Sequence, residues 1–310
     1  MDFFKQVILP CAVVMATPVF GDEPQDAKTQ TSTSNENKLS APAELPHFSA
    51  SVDYNYVGEG ETDFRGHTLE KSDAHTIAPK VFGEVPLNDQ WYIPMGVSTE
   101  HAFLDTMNGA PIPDRINVMR VNVGVGYRFN EKWDVSAGAG PLFYNLEDVE
   151  GRNIGFGGMI RAVYRYSDKW TFAAGVAVAP DAEIPVFPAA GVIWKPTSDL
   201  TVSLMAPNPR VIKSFSDKFR VFGGADVRFA VFRTDDSIQS KTGVIGYNNA
   251  LGTYRDYHLG AGVEYDIIKG LSFSAETGFS VGREIDYTRI DEHVDFHTSP
   301  YVRVGVRYSF

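Results

Sequence analysis

Any chemistry in this chain has to come from histidines, carboxylates and arginines. The single cysteine, Cys11, lies in the first apolar segment. Neither a disulfide framework nor a thiolate metal site is therefore available. Two Asp-x-His pairs stand out, Asp256 with His258 and Asp295 with His297. A two-residue spacing places both members on one face of a β-strand. A carboxylate beside an imidazole can poise it as a base toward water, or share a divalent metal with it. The plainer reading is that these are ordinary polar residues near a strand end. No Ser–His arrangement suited to acyl transfer is evident, and no metal or cofactor is expected.

A second group of charges recurs at alternating positions. The basic members are Lys80, Arg120, Arg128, Arg161, Arg165, Arg228, Arg303 and Arg307. The acidic members are Asp53, Glu100, Asp134, Asp226, Glu264, Asp266 and Glu276. Except at Glu100, the residues on either side are mostly apolar. Met119, Val121, Val123, Val125, Tyr127 and Phe129 interleave with Arg120, Gly124 and Arg128. Leu271, Phe273, Ala275, Thr277 and Phe279 interleave with Ser272, Ser274, Glu276 and Gly278. Side chains alternate faces along a strand, so each such strand has one apolar face and one polar or small face.

From His47 onward this period of two dominates, and no convincing helical stripe is found. No apolar run beyond the N-terminus is long enough for a membrane-crossing helix. A soluble sandwich alternates too, so three further features decide. Trp91, Trp133 and Trp170 begin strands and Trp194 ends one, all with the parity of the apolar face. An indole ring sits well at a membrane surface, with its body in lipid and its N–H in water. Short connectors such as Asn130-Glu131-Lys132 and Ser216-Asp217-Lys218 alternate with longer ones. The longer ones are Gly58 to Asp73, Asp105 to Asp114, Thr234 to Thr253 and Glu284 to Glu292. That asymmetry is usual for transmembrane barrels. Finally, Val302, Val304, Val306, Tyr308 and Phe310 alternate with Arg303, Gly305 and Arg307.

This last segment resembles the C-terminal strand of bacterial outer-membrane proteins. The resemblance implies that Tyr308 and Phe310 are an assembly signal read by the barrel-assembly machinery. The stretch Trp194-Lys195-Pro196 and the run from Leu204 to Arg210 resemble a large uncharacterised family of bacterial outer-membrane barrels. That likeness implies the fold and the location and no activity. The Asp-x-His pairs resemble the acid–histidine pairs of omptin proteases, which act at a barrel mouth.

The fold predicted is all-β: an antiparallel, up-and-down transmembrane barrel of about fourteen strands, with twelve as the alternative. The last strand is expected to run unbroken over 294–310. The segment around Ala206-Pro207-Asn208-Pro209 is expected to be either a low point on the outer rim or a place where two elements collapse into one. Residues 1–21 read as an export signal, with Lys5 as the basic region and Val7 to Val19 as the apolar one. Residues 22–46 read as a polar periplasmic tail, and 47–310 as the barrel. The location implied is the outer membrane of a Gram-negative envelope, with lipid, periplasmic chaperones and the assembly machinery as partners. The net charge of -11 and the lack of a basic run argue against nucleic acid.

On this parity Arg120, Arg128, Arg161, Arg165, Arg228, Arg303, Arg307, Asp134, Asp226, Glu264, Asp266 and Glu276 line the lumen. Four of the arginines fall on the fourth and sixth strands, and Glu264, Asp266 and Glu276 on the twelfth and thirteenth. Opposed basic and acidic walls would favour passage of small polar solutes, a porin-like function. Two alternatives stand: a non-conducting scaffold that binds a partner through its outer loops, and a barrel-mouth hydrolase using the Asp/His pairs.

Overall fold

A computed structural model of the chain describes residues 46–310, apart from 106–108, 183–184, 236 and 244. The export segment, Cys11 and the tail as far as Leu45 lie outside the described residues. The strands are β1 (His47–Phe64), β2 (His67–Pro86), β3 (Trp91–Leu104), β4 (Arg115–Arg128) and β5 (Trp133–Phe143). Then come β6 (Ile154–Ser167), β7 (Trp170–Val178), β8 (Val186–Thr197), β9 (Leu200–Ser203) and β10 (Arg210–Ser214). The last are β11 (Phe219–Arg233), β12 (Leu251–Ile268), β13 (Leu271–Tyr287), β14 (Glu292–Phe296) and β15 (Ser299–Ser309). Among the described residues one α-helix, α1 (Ser237–Thr242), lies between β11 and β12, followed by a 3-10 turn at Ile245–Tyr247.

Each strand pairs antiparallel with its neighbour, and β15 pairs with β1 over Ser49–Val57 to close the ring. β14 and β15 both lie between β13 and β1, one above the other, so fifteen strands make fourteen staves. The last stave is broken at His297–Thr298, where a single strand over 294–310 was expected. Closure gives every strand two neighbours, which is what a sheet needs in a medium without water.

Alternation sorts the faces as predicted. Val52, Val97, Val123, Phe172, Val263, Phe273 and Val304 all stand exposed on the outside. Near the turns that share an end with His47 and Phe310, aromatic rings form a band. Trp91 meets Tyr127 at 4.6 Å, Trp133 meets Tyr164 at 4.5 Å and Trp170 meets Trp194 at 5.6 Å between ring centres. Phe310 stacks on Tyr308 and Phe48 in the same band. Gly270, with φ of 84°, makes the tight turn from β12 to β13 at this end.

The other end departs from the sequence reading. The Gly58–Asp73 segment, expected as a loop, is strand on both sides of a two-residue turn at Arg65-Gly66. The Glu284–Glu292 segment is likewise strand as far as Tyr287. Backbone groups that could have met water are paired to each other, which extends the β1–β2 and β13–β14 hairpins past the apolar belt. Three irregularities sit at one level: a bulge in β1 between Val57 and Gly60, one in β13 near Val281, and the break before β15. Each inserts one residue and so exchanges the two faces of the strand above it. Below the step Asn55 and Val57 point inward; above it Thr62 and Phe64 do.

The outer half of the lumen is filled. Ala110 and Ile112 from the β3–β4 connection, Ile238 of α1 and Tyr247 are all buried there. They pack with Phe232, Tyr254, Ile285, Tyr287, Val294 and Phe296. Tyr287 donates to the Pro111 carbonyl at 2.6 Å. These residues come from connections expected to form exposed outer loops.

β11 divides this filling. Its neighbour β10 pairs with it only as far as Gly224, because β9 and β10 are short. Beyond that point β11 keeps β12 on one side and leans across the lumen. The Arg233 N–H donates to the Tyr144 carbonyl beyond β5 at 3.0 Å. One face of β11 joins the cluster around Tyr254, and the other places Phe229 and Val231 against Tyr144, Ala177 and Phe187. Ala206–Pro209 is thus the low point of the wall, the first of the two readings its prolines allowed, and β9 and β10 remain separate strands.

Phe232 is 1% exposed at the centre of this filling. Phe232→Ala should cost about 3–5 kcal/mol, the usual range for emptying a packed aromatic site. Urea unfolding of the detergent-solubilised protein measures it, and an exposed control, Phe279→Ala, should cost far less.

Candidate functional site

Beneath the apolar filling lies a polar cavity of about 170 Å³. β1 to β4 contribute Asp53, Lys80, Glu100 and Arg120; β10 and β11 contribute Arg210, Asp226 and Arg228; β12, β13 and β15 contribute Glu264, Glu276, Arg303 and Arg307. The strands place them here through the parity already described, each charge one residue from a side chain on the apolar belt.

Arg303 is the hub. Its guanidinium lies 2.5 Å from Asp226, 3.5 Å from Glu276 and 2.7 Å from Nδ1 of His258. Glu276 also accepts from the Tyr301 hydroxyl at 2.5 Å and pairs with Arg210 at 3.4 Å. Arg210 in turn stands over the Phe222 ring. A Cβ on Gly260 would collide with the Tyr301 hydroxyl, so glycine at that position leaves Tyr301 its place.

Nearer the turns, Arg220 bridges Glu264 and Asp266, at 2.9 Å from each. Arg128 contacts Glu84 at 3.0 Å and Asp134 at 3.8 Å and covers the Tyr92 ring, while the Tyr92 hydroxyl donates to Asp134. Arg161 is half-buried on β6, and Arg165 is exposed at the turn end, 3.5 Å from the Glu131 carbonyl. Arg120 donates to the Phe229 carbonyl at 2.7 Å, across the lumen.

The structure therefore brings Arg120, Arg228, Arg303, Arg307, Asp226, Glu264 and Glu276 around one cavity and leaves Arg128, Arg161, Arg165, Asp134 and Asp266 outside its lining. The acidic wall is not bare, as sequence alone suggested. Arg210, Arg220 and Arg303 already engage it. Arg220 shares the parity of Asp226 on β11, and that signal in the sequence would have placed it in the lumen.

The two Asp-x-His pairs fare differently from the expectation. Asp256 and His258 are not at the rim; both side chains are sealed inside. His258 Nε2 lies 2.8 Å from Asp256, its ring stacks on Tyr301, and Ser280 donates to Asp256 at 2.6 Å. The reason is the inward lean of β11 and β12, which buries what would otherwise be a rim. With Nδ1 held by Arg303, Nε2 set against the Asp256 carboxylate and no exposure, the pair serves packing and orientation. Asp295 and His297 lie on the outer face, because the break before β15 exchanges the faces of the stave. His297 Nε2 meets Asp63 at 2.8 Å and Nδ1 meets Glu61 at 3.5 Å, clasping the loop to the β1–β2 hairpin. Among the described residues no group of three or more His, Cys, Asp or Glu is arranged to hold a metal.

The architecture is a closed antiparallel barrel with an apolar exterior, an aromatic band and a charged interior. The chain belongs to the family described as a domain of unknown function, DUF6268, which matches residues 89–309. No curated protein sequence matches it. Among solved structures, it is similar to a Pseudomonas aeruginosa FadL homologue, with 10% identity, 86% of this chain and 90% of that one covered, and a TM-score of 0.46. The Ralstonia pickettii toluene transporter TbuX is similar at 14% identity, with 86% and 90% covered and a TM-score of 0.43. The NanC porin follows at 11% identity, with 84% and 98% covered and a TM-score of 0.38.

Removing one partner of a buried ion pair strands the other. Asp226→Asn should therefore destabilise the protein by about 3–5 kcal/mol, and Arg303→Met, which strands Asp226, Glu276 and His258 together, should cost at least as much. Urea unfolding of the three proteins side by side measures the difference.

The outer clasp carries a pH signature. Hydrogen bonding to Asp63 raises His297 above its usual 6.5, and the same bond lowers Asp63 below 3.8. A raised histidine stabilises fully below 6.5 and loses this as pH rises through its folded value. A lowered carboxylate stabilises above 3.8 and loses this as pH falls. Hydrogen-exchange protection of the β1–β2 tip should thus be greatest between these limits and decline on either side. His297→Gln should remove the decline on the alkaline side.

Proposed function

We propose that the chain is an outer-membrane barrel built as a passage for small polar solutes, and that this structure is its closed state. The observation that carries this is the pairing of a lipid-suited exterior with a charged, solvent-sized cavity beneath an apolar stopper. A lipid-facing apolar belt with aromatic rings at its edge suits a bilayer. A core of Arg and Asp/Glu is costly to build, and a purely structural barrel could fill the same space with side chains, as the outer half does. The stopper is drawn from connections and from one leaning hairpin, elements that can move without opening the ring. In this reading Tyr308 and Phe310 sit at the periplasmic aromatic band, where the assembly machinery reads them, and the segments before Pro46 belong to export.

The same stopper favours a second reading, a permanently silent scaffold that meets a partner through the extended β1–β2 hairpin. One set of measurements separates the two. The mature protein should require detergent and should migrate differently on a denaturing gel before and after boiling. In planar bilayers it should be nearly silent. Replacing residues 237–247 by a short Gly/Ser linker should produce steady channels. A linker variant that keeps its gel shift and stays silent would favour the scaffold, and a freely soluble protein with no gel shift would count against the membrane.

A further inference from the structure

The charges around the cavity do not all find partners. Arg228 makes no hydrogen bond or direct ion pair with a described residue, and its Nη1 is cut off from solvent; Asp226, on the same face of β11, acts on it only through space. Glu100 is in the same position, with Oε1 buried and unpartnered. Both line the cavity. An unmatched polar atom in the interior costs about 1–3 kcal/mol, and more when charged, so two of opposite sign in one small space call for an explanation.

Their placement supplies one. Glu100 on β3 and Arg120 on β4 are inward-facing diagonal neighbours, since Ser98 pairs with Arg120 and Glu100 with Val118. Diagonal positions are about 7–8 Å apart, within reach of a pair of long side chains. They act on each other through space but form no direct ion pair, because Arg120 extends across the lumen to the Phe229 carbonyl. That carbonyl belongs to the residue next to Arg228. Arg120 thus ends beside β11, the strand that carries Arg228, and both arginines line the cavity together with Glu100 from β3. A gap of this kind matches a ligand with an anionic and a cationic group on adjacent atoms. At about 170 Å³ the cavity holds on the order of five waters at ~30 Å³ each, or one compact organic molecule.

We propose that the cavity binds a small zwitterion of the α-amino-acid type, its carboxylate held by Arg228 and Arg120 and its ammonium by Glu100. The inference rests on the reading of the lumen as a solute passage and names the solute class. A planar guanidinium grips a carboxylate through two parallel hydrogen bonds, which a lone ammonium does not offer. The ring of ion pairs around Arg303 supports the site from below without contributing a free charge.

The test is isothermal titration of the refolded full chain in detergent with glycine, acetate and methylammonium. Glycine should bind saturably, acetate at least about tenfold more weakly, and methylammonium not measurably. Arg228→Gln should weaken both glycine and acetate by about tenfold or more, and Glu100→Gln should bring glycine down to the level of acetate and leave acetate unchanged. If Arg228→Gln does not show the gel shift of the folded barrel, Arg228→Lys replaces it. That variant keeps the charge without the fork and should weaken glycine to a lesser degree. Absence of saturable heat with glycine means the cavity holds water only and overturns the proposal. Acetate binding as tightly as glycine, or either substitution leaving binding intact, overturns it as well. Binding does not require conduction. Glycine bound by a barrel that stays silent without its stopper upholds the site and overturns the passage, whereas channels that ignore glycine do the reverse.

Discussion

In a closed sheet every strand finds its backbone partners on both sides within the protein, and that requirement governs this molecule. It closes the ring between β1 and β15. It also explains the least regular part of the fold. β9 and β10 are too short to cover the upper half of β11. The uncovered edge has to go somewhere. It turns inward, where the Arg120 guanidinium bonds to the Phe229 carbonyl and the Arg233 amide bonds to the Tyr144 carbonyl. The outer mouth is therefore stoppered as a consequence of a low wall elsewhere in the ring. The polar cavity below and the apolar packing above are two results of one mismatch in strand length.

The lean of β11 and β12 has an electrostatic counterpart. Inward-facing charges gather on the lower halves of the staves, while apolar side chains predominate on the upper halves, with Arg283 buried among them over the Phe296 ring. Arg303 sits where the two regimes meet, holding Asp226 and Glu276 on one side and His258 on the other. Buried charges are tolerated only when satisfied together. The Ser280–Asp256–His258–Arg303 chain does this by linking β13, β12 and β15 in one run of polar contacts. Its members look like chemistry in the sequence, and their burial turns them into structure.

Much of this was legible in the residues. Alternation around Arg120, Val123 and Phe273 assigned faces correctly, and the four tryptophans marked one edge of the belt. Ala206–Pro209 announced the low wall. What could not be read was anything set by a neighbour. A bulge is one residue long and leaves no compositional mark, so alternation carried on from Arg303 would set Asp295 and His297 inside, whereas they face out. The inward course of β11 depends on the lengths of β9 and β10, which β11's own residues do not encode. The Arg220 bridge was readable from parity, yet its partners on β12 were not, because pairing across strands depends on register. The segments Asp105–Asp114 and Thr234–Thr253 carry the polarity of surface loops, and only the few apolar residues within them, Ile112, Ile238 and Tyr247, hinted at burial.

The seam between β1 and β15 has a kinetic meaning. Ser49 faces Ser309, so the contacts that complete the ring join nearly the two ends of the described chain. All the other neighbouring staves are joined by hairpins, local in sequence and cheap in loop entropy. The ring can therefore zip from turn to turn, while its final stave must wait for the longest search. Because that stave is divided at His297–Thr298, it can engage as two short segments, β15 against Ser49–Val57 and β14 against Thr62–Phe64. Each half commits only a few backbone pairs at a time, which makes the last and slowest event in forming the barrel a sequence of two smaller ones.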